Sequence, residues 1–132
     1  MTRRNAGYRA ASSTGLRSGN RSKYGNRKTV VDGIEFDSKL EAQRYVTLKL
    51  MQRGGLISQL KLQVPFTLIP KQKRDDGKTE RACEYIADFT YYDEFDNFIV
   101  EDVKGRRTPE YIIKRKLMLY IHGITIREVT KP

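Results

Sequence analysis

The sequence holds one cysteine and one histidine in 132 residues. Cys83 therefore has no internal disulfide partner, and a single His122 makes no Cys/His zinc site. A reducing cytoplasm is the compartment that fits. No apolar run approaches the roughly 18 residues that cross a bilayer, and Met1 to Lys28 lacks the apolar core of about 7 to 15 residues that a secretory signal needs. A soluble protein with no membrane partner is expected. Acidic residues are missing altogether from Met1 to Lys28, where Arg3, Arg4, Arg9, Arg17, Arg21, Lys23, Arg27 and Lys28 stand among Gly, Ser, Asn and Thr. Such a segment cannot bury enough apolar surface to fold alone, and its Gly and Ser interrupt any amphipathic membrane helix. It reads as a flexible, disordered basic arm, residues 1–28, carrying +8 of the formal net charge of +10. Basic charge with every acid excluded points to contact with phosphate, hence to nucleic acid.

What remains, residues 29–132, has the length of one domain with one core. Thr29-Val30-Val31 and Ile34-Glu35-Phe36 flank Asp32-Gly33, the dipeptide of a two-residue hairpin turn. A helix follows from Lys39 to about Gln52, opened by Asp37-Ser38 and closed by Gly54-Gly55. Leu60 to Ile69 alternates apolar and polar residues as a half-buried strand does, with Pro65 marking an edge position or a bulge. The polar run Lys71 to Glu80 reads as a loop in which little chemistry is expected. Two strands, Ala82 to Tyr92 and Phe98 to Lys104, form a second hairpin across Asp93 to Asn97. Thr108-Pro109-Glu110 opens a helix that runs to His122-Gly123, and Ile124 to Val129 is the last strand. Hairpin, helix, three strands, helix, strand is the order of a mixed sheet flanked by helices, an α/β fold. His122, at a helix end, is given no catalytic role.

Phe98 to Lys104 is an apolar strand that ends in charges. Alternation sets Asp102 and Lys104 on one face and Glu101 and Val103 on the other. If the hairpin closes symmetrically, Tyr92 pairs with Phe98, Thr90 with Val100, and Asp88 with Asp102. Directly opposed residues have Cβ atoms about 4.5 to 5.5 Å apart, and two carboxylates so placed destabilise the fold unless a cation lies between them. Hard cations such as Mg²⁺ prefer carboxylate oxygens. A third acid, Glu41, falls on the helix arc spanned by Leu40, Tyr45, Leu48 and Met51, which turns it inward. Ser38-Lys39-Leu40-Glu41 also matches the capping box, in which that Glu serves its own helix. Asp-x-Lys occurs three times, as Asp37-Ser38-Lys39, Asp76-Gly77-Lys78 and Asp102-Val103-Lys104; only the last lies on an apolar strand with an Asp on the partner strand.

These residues resemble the PD-(D/E)xK nuclease superfamily, which includes restriction enzymes and the archaeal and phage Holliday-junction resolvases. Its core runs helix, three strands, helix, strand (αβββαβ), with an acid on the first helix, an Asp on the second strand and (D/E)xK on the third. Glu41, Asp88 and Asp102-Val103-Lys104 hold those positions here. More narrowly, Gly33-Ile34-Glu35-Phe36-Asp37-Ser38-Lys39-Leu40-Glu41-Ala42, Tyr85-Ile86-Ala87-Asp88-Phe89 and Glu101-Asp102-Val103-Lys104-Gly105 look like a phage and prophage family of endonuclease-like proteins. The likeness covers about Gly33 to Val129. It departs at Ala87, where the motif is named for Pro, and at Asp102, where Glu is commoner; parity with Lys104 selects Asp102 over Glu101.

The resemblance implies a restriction-endonuclease-like core and a metal-dependent DNA endonuclease acting by phosphodiester hydrolysis. Mg²⁺, with Mn²⁺ as a substitute, would be held by Asp88, Asp102, the carbonyl of Val103 and Glu41. Lys104 would orient the nucleophile or stabilise charge. Arg106, Arg107 and Lys114, with the arm, are expected to grip the DNA backbone. The partner implied is DNA, branched DNA such as a Holliday junction included, in phage recombination or replication within a bacterial cytoplasm. A resolvase needs paired active sites, so a homodimer is expected; no small-molecule cofactor is. The competing reading is a non-enzymatic DNA-binding recombination accessory protein using the arm and a basic face alone. An RNA-binding module is a third, without a recognisable aromatic platform to support it.

Overall fold

A computed structural model describes residues 28–132. The basic arm falls outside the described residues except for Lys28, whose Nζ lies 3.8 Å from Asp37 Oδ1 at the surface. The described residues divide into two compact units, with the boundary between Ala42 and Gln43 inside the first helix.

In the first unit β1 (Thr29–Val31) and β2 (Ile34–Phe36) pair antiparallel, with Val31 opposite Ile34. Asp32 and Gly33 both take positive φ, 54° and 76°, the type I′ geometry that twists with its strands. Helix α1 (Lys39–Arg53) starts where Ser38 Oγ accepts the Glu41 N–H at 3.1 Å, which satisfies one orphan donor of the first turn.

In the second unit α1 ends at Gly54-Gly55, Gly55 taking φ 82°. Tyr45 and Leu48 are buried while Val46 and Leu50 are exposed, so one apolar arc of the helix is used and the other is not. The remaining elements are β3 (Ser58–Ile69), β4 (Gln72–Lys73), β5 (Thr79–Glu80), β6 (Cys83–Tyr92), β7 (Phe98–Val103), α2 (Pro109–His122) and β8 (Arg127–Val129). A four-stranded sheet has the order β3-β6-β7-β8. Its first two pairings are antiparallel and β7 with β8 is parallel, because α2 carries the chain back between them. Pro65 lies on β3, an edge strand, where a missing N–H costs no ladder bond.

The hairpin of β6 and β7 has the register expected from the sequence, Tyr92 opposite Phe98 and Thr90 opposite Val100. Asp93 Oδ1 shapes its turn by accepting from the N–H groups of Phe95 and Asn97 at 2.9 Å each. Helix α2 is capped by Thr108, whose side chain accepts from the Tyr111 N–H, and stopped by Gly123 at φ 68°. It lies over the sheet on a core of Leu68, Tyr85, Ala87, Val100, Tyr111, Met118 and Ile126. His122 is tied to the strand beneath, its Nε2 2.7 Å from Thr67 O and its ring edge-on to Phe66.

Two expectations need correction. Residues 71–80 are not an irregular loop, since β4 and β5 pair there around a turn closed by Arg74 N–H to Lys78 O at 2.8 Å. The last strand is three residues, not six, because only Glu101, Asp102 and Val103 of β7 face it.

Candidate functional site

Alternation along β6 alone would put Asp88 on the face of Thr90 and Val100, and Tyr85 on the reverse. Tyr85 and Ala87 nevertheless share the α2-side core with Val100, and the Tyr85 hydroxyl donates to Asp102 Oδ2 at 2.6 Å. The side-chain phase of β6 therefore slips between Ala87 and Thr90. Asp88 sits at the slip, across from Gln63, whose φ is 53° and which lies between the paired positions Leu62–Phe89 and Val64–Ala87. Irregularities of this kind re-aim side chains and part strands.

The strands part here. Pairing of β6 with β7 runs from Tyr92–Phe98 to Phe89–Glu101. One residue further on, Asp88 Oδ2 accepts the Val103 N–H at 2.8 Å, taking the place of a main-chain acceptor. Gln63 Nε2 lies 3.5 Å from Asp88 Oδ1, a long contact. Asp102 is buried, and Lys104 Nζ stands 3.2 Å from its Oδ1.

Burial raises the proton affinity of both carboxyls. Asp88 is pushed up by desolvation and then by the charge of Asp102, against the Val103 N–H, Lys104 and Gln63, which pull it down. Asp102 is pushed up by desolvation, against the Tyr85 hydroxyl and Lys104. Two acids that each disfavour ionisation by their position, with an amine at hand, are what a catalytic or cation-binding site looks like electrostatically.

Lys104 is itself fixed on a second side, with Nζ 4.1 Å from the centroid of the Tyr111 ring, a cation–π contact. The Tyr111 hydroxyl donates to Glu128 Oε2 at 2.8 Å, and Glu128 also takes Arg107 Nε at 2.8 Å and Arg115 at 2.9 Å. These donors hold the Glu128 carboxyl down to about 2, Arg107 foremost. A depressed carboxyl contributes stability that is complete above its unfolded value near 4.5 and is lost as the pH falls toward about 2. Chemical denaturation of wild type should therefore show stability dropping across that window, and Glu128→Gln should flatten the drop. An identical pH profile in the variant would mean that the cluster contributes nothing to folding.

Glu101, next to Asp102, points to the other face of β7 and is fully buried. Arg44 of α1 meets it as a fork, Nε to Oε1 at 2.9 Å and Nη2 to Oε2 at 2.6 Å, while the Tyr91 hydroxyl also donates to it. The two adjacent acids thus have different partners, Glu101 being taken up by Arg44 and Tyr91 and Asp102 by Tyr85 and Lys104.

Of the residues singled out in the sequence, Asp88, Asp102 and Lys104 come together, with Val103 between them. Glu41 belongs to the first unit, where it is buried in the opening turn of α1. Among the described residues no three His, Cys, Asp or Glu side chains gather as a metal-binding group. Arg107 is held by Glu128 and Lys114 pairs with Glu110 at 3.2 Å; Arg106 is exposed and enters no ion pair among the described residues. Arg3, Arg4, Arg9, Arg17, Arg21, Lys23 and Arg27 lie outside the described residues. Sequence reasoning missed Tyr85 and Tyr111, which hold Asp102 and Lys104. Tyr85 had one available signal, a polar tip three residues before Asp88 on a strand otherwise turned to the core.

A family model with the description protein of unknown function (DUF1064) matches residues 21–129. No curated protein and no solved structure matches the chain.

Proposed function

We propose that this chain, which belongs to the DUF1064 family, is a metal-dependent DNA endonuclease with a restriction-endonuclease-like core, in which Asp88, Asp102 and Lys104 form the active centre. The observation that carries the reading is Asp88 itself, a carboxylate lodged beside Asp102 where two strands part, at an electrostatic cost to the fold. A divalent cation relieves that cost, and the donors present, carboxylate oxygens with the Val103 carbonyl as a neighbour, are the hard oxygens that Mg²⁺ and Mn²⁺ take. Glu41 as a further ligand, direct or through water, is what the resemblance adds. When bound, the metal lowers the pKa of a water and polarises the phosphate.

The chain's own residues supply the positioning. Val103 N–H and the Tyr85 hydroxyl leave Asp88 and Asp102 little freedom. Lys104, clamped between Asp102 and the Tyr111 ring, presents a fixed ammonium to charge developing on the phosphate or the nucleophile. Arg106 and the basic arm hold the DNA backbone through counterion release. Branched DNA, a Holliday junction foremost, is the substrate class, and a homodimer pairs the two active centres on it.

The test is incubation of the full chain with a labelled four-way junction and a matching linear duplex, in Mg²⁺, Mn²⁺ or EDTA. Metal-dependent cleavage supports the reading, and preference for the junction supports a resolvase. Binding without cleavage in any metal would leave a recombination accessory protein; stronger competition by RNA would sink both DNA readings. Tyr85→Phe should lower cleavage about 10- to 100-fold and raise the Mg²⁺ concentration needed for half-maximal rate, as loss of a partner behind a ligand does. A variant with wild-type metal dependence would show that Asp102 needs no such support.

A further inference from the structure

Every residue from Pro70 to Ala82 is exposed, yet the segment is an ordered ribbon of β4 and β5 with Gln72 opposite Glu80 and Lys73 opposite Thr79. Continuing that register by one pair sets Lys71 opposite Arg81. Directly opposed residues share a face, so the ribbon sorts its charges. Arg74 pairs with Asp76 at 2.6 Å and with Glu80 at 3.5 Å, which places those charges together on the face of Gln72 and Glu80. Lys73 and Thr79 hold the other face, to which the extended register would also turn Lys71 and Arg81, and among the described residues none of the three basic side chains enters an ion pair. Like charges set opposite each other do nothing for folding and cost stability. Eight of the chain's 26 basic residues lie in the arm, and the remaining 18 face all 16 acids, a net +2. Residues 70–82, with five basic and three acidic side chains, carry +2 by themselves.

We infer that the face of Lys71, Lys73 and Arg81 is a phosphate-binding surface for duplex DNA. The inference rests on the proposed DNA reading only for the identity of the polyanion. A two-stranded ribbon is an element that the major groove, about 12 Å wide, admits. From Cys83, at the ribbon's root, to Asp88 is five residues of β6, about 17 Å at strand rise. That is roughly half of the 34 to 36 Å turn of the duplex, so the ribbon would meet backbone across a groove from a phosphate bound at the proposed site of Asp88 and Asp102. Amines in these positions fix register on the duplex without reading sequence.

The test is the affinity of the full chain for a linear duplex in EDTA across a salt series, wild type against the triple variant Lys71→Gln, Lys73→Gln, Arg81→Gln. Each phosphate contact contributes about 0.9 to the slope of log affinity against log salt. The variant's slope should be shallower by about 2 to 3 and its affinity lower by about tenfold or more, with a melting temperature equal to or above that of wild type. Lys73→Gln alone should change the slope by about 0.9. Wild-type binding with an unchanged slope in the variant would overturn the ribbon's role while leaving the endonuclease reading intact. A shallower slope in a protein that cleaves in no metal would uphold the ribbon and remove the enzyme. Loss of affinity for duplex RNA alone would overturn the assignment to DNA.

Discussion

Asp88→Asn should abolish cleavage and, without metal, make the protein more stable. The two effects have one cause. Asp88 and Asp102 are held together by the fold although burial raises the cost of ionising both, and the charge of Asp102 raises that of Asp88 further. An Asn keeps a carbonyl oxygen for the Val103 N–H and removes one of the two charges. Turnover should fall by about a thousandfold or more, as it does when a group that stabilises the transition state is lost. Duplex affinity in EDTA should stay within about twofold, since the proposed phosphate contacts lie elsewhere. Relief of the like-charge pair is worth on the order of 1 kcal/mol, which for a domain of this size is a rise of about 4 to 8 °C in melting temperature. Carboxyls held above their usual range bind protons more tightly when folded, so metal-free stability is lost as the pH rises above the ordinary carboxylate range. The variant should flatten that loss. Mg²⁺ should raise the melting temperature of wild type and leave that of Asp88→Asn unmoved. Activity near the wild-type rate, or a melting temperature lowered by several degrees, would make Asp88 an ordinary structural acid.

Arg44→Leu should strongly destabilise the second unit. Glu101 is fully buried and takes both nitrogens of the Arg44 fork. Removing one partner of a buried pair leaves an uncompensated charge, at about 3 to 5 kcal/mol. A loss of that size lowers the melting temperature by about 15 °C or more. Arg44→Leu with Glu101→Leu should recover at least half of it, because the stranded carboxylate is gone and apolar volume replaces it. The hydroxyl of Tyr91, pushed up to about 12 by burial and by its bond to Glu101, keeps Arg127 as a partner at 3.4 Å. Thermal melting of the three proteins settles the matter. A single variant that melts within a few degrees of wild type would show that Glu101 is held without its arginine.

Wherever the determining residues are neighbours, the sequence was legible. Asp32-Gly33 reads as a tight turn because both residues tolerate positive φ. Thr108-Pro109 and Gly123 bound α2 as side-chain cap, fixed φ and left-handed stop. The symmetric loop from Asp93 to Asn97 predicts the pairs Tyr92–Phe98 and Thr90–Val100 of β6 with β7, whereas the expected pair Asp88–Asp102 lies beyond the last paired position, and Asp88 turns to the Val103 N–H instead. The polar composition of residues 71–80 gave no sign of a ribbon, since β4 and β5 are two residues each and too short for a period to appear.

Other features depend on partners far along the chain. Parity alone put Asp88 and Asp102 on one face, but the strand slips at Asp88 against Gln63, 25 residues away. The slip sends the Tyr85 hydroxyl to Asp102 and leaves the Asp88 carboxylate between parted strands. The role of Glu101 was likewise open until Arg44, 57 residues distant, came to it. Turns, caps and periods arise from the stereochemistry of adjacent residues, so the sequence by itself determined the two helices, the first hairpin, the longer strands, their order and the acids on offer. Which carboxylate is left beside a second one, and which is neutralised in the core, was decided by burial and charge pairing, and those exist only once the sheet and helices have packed.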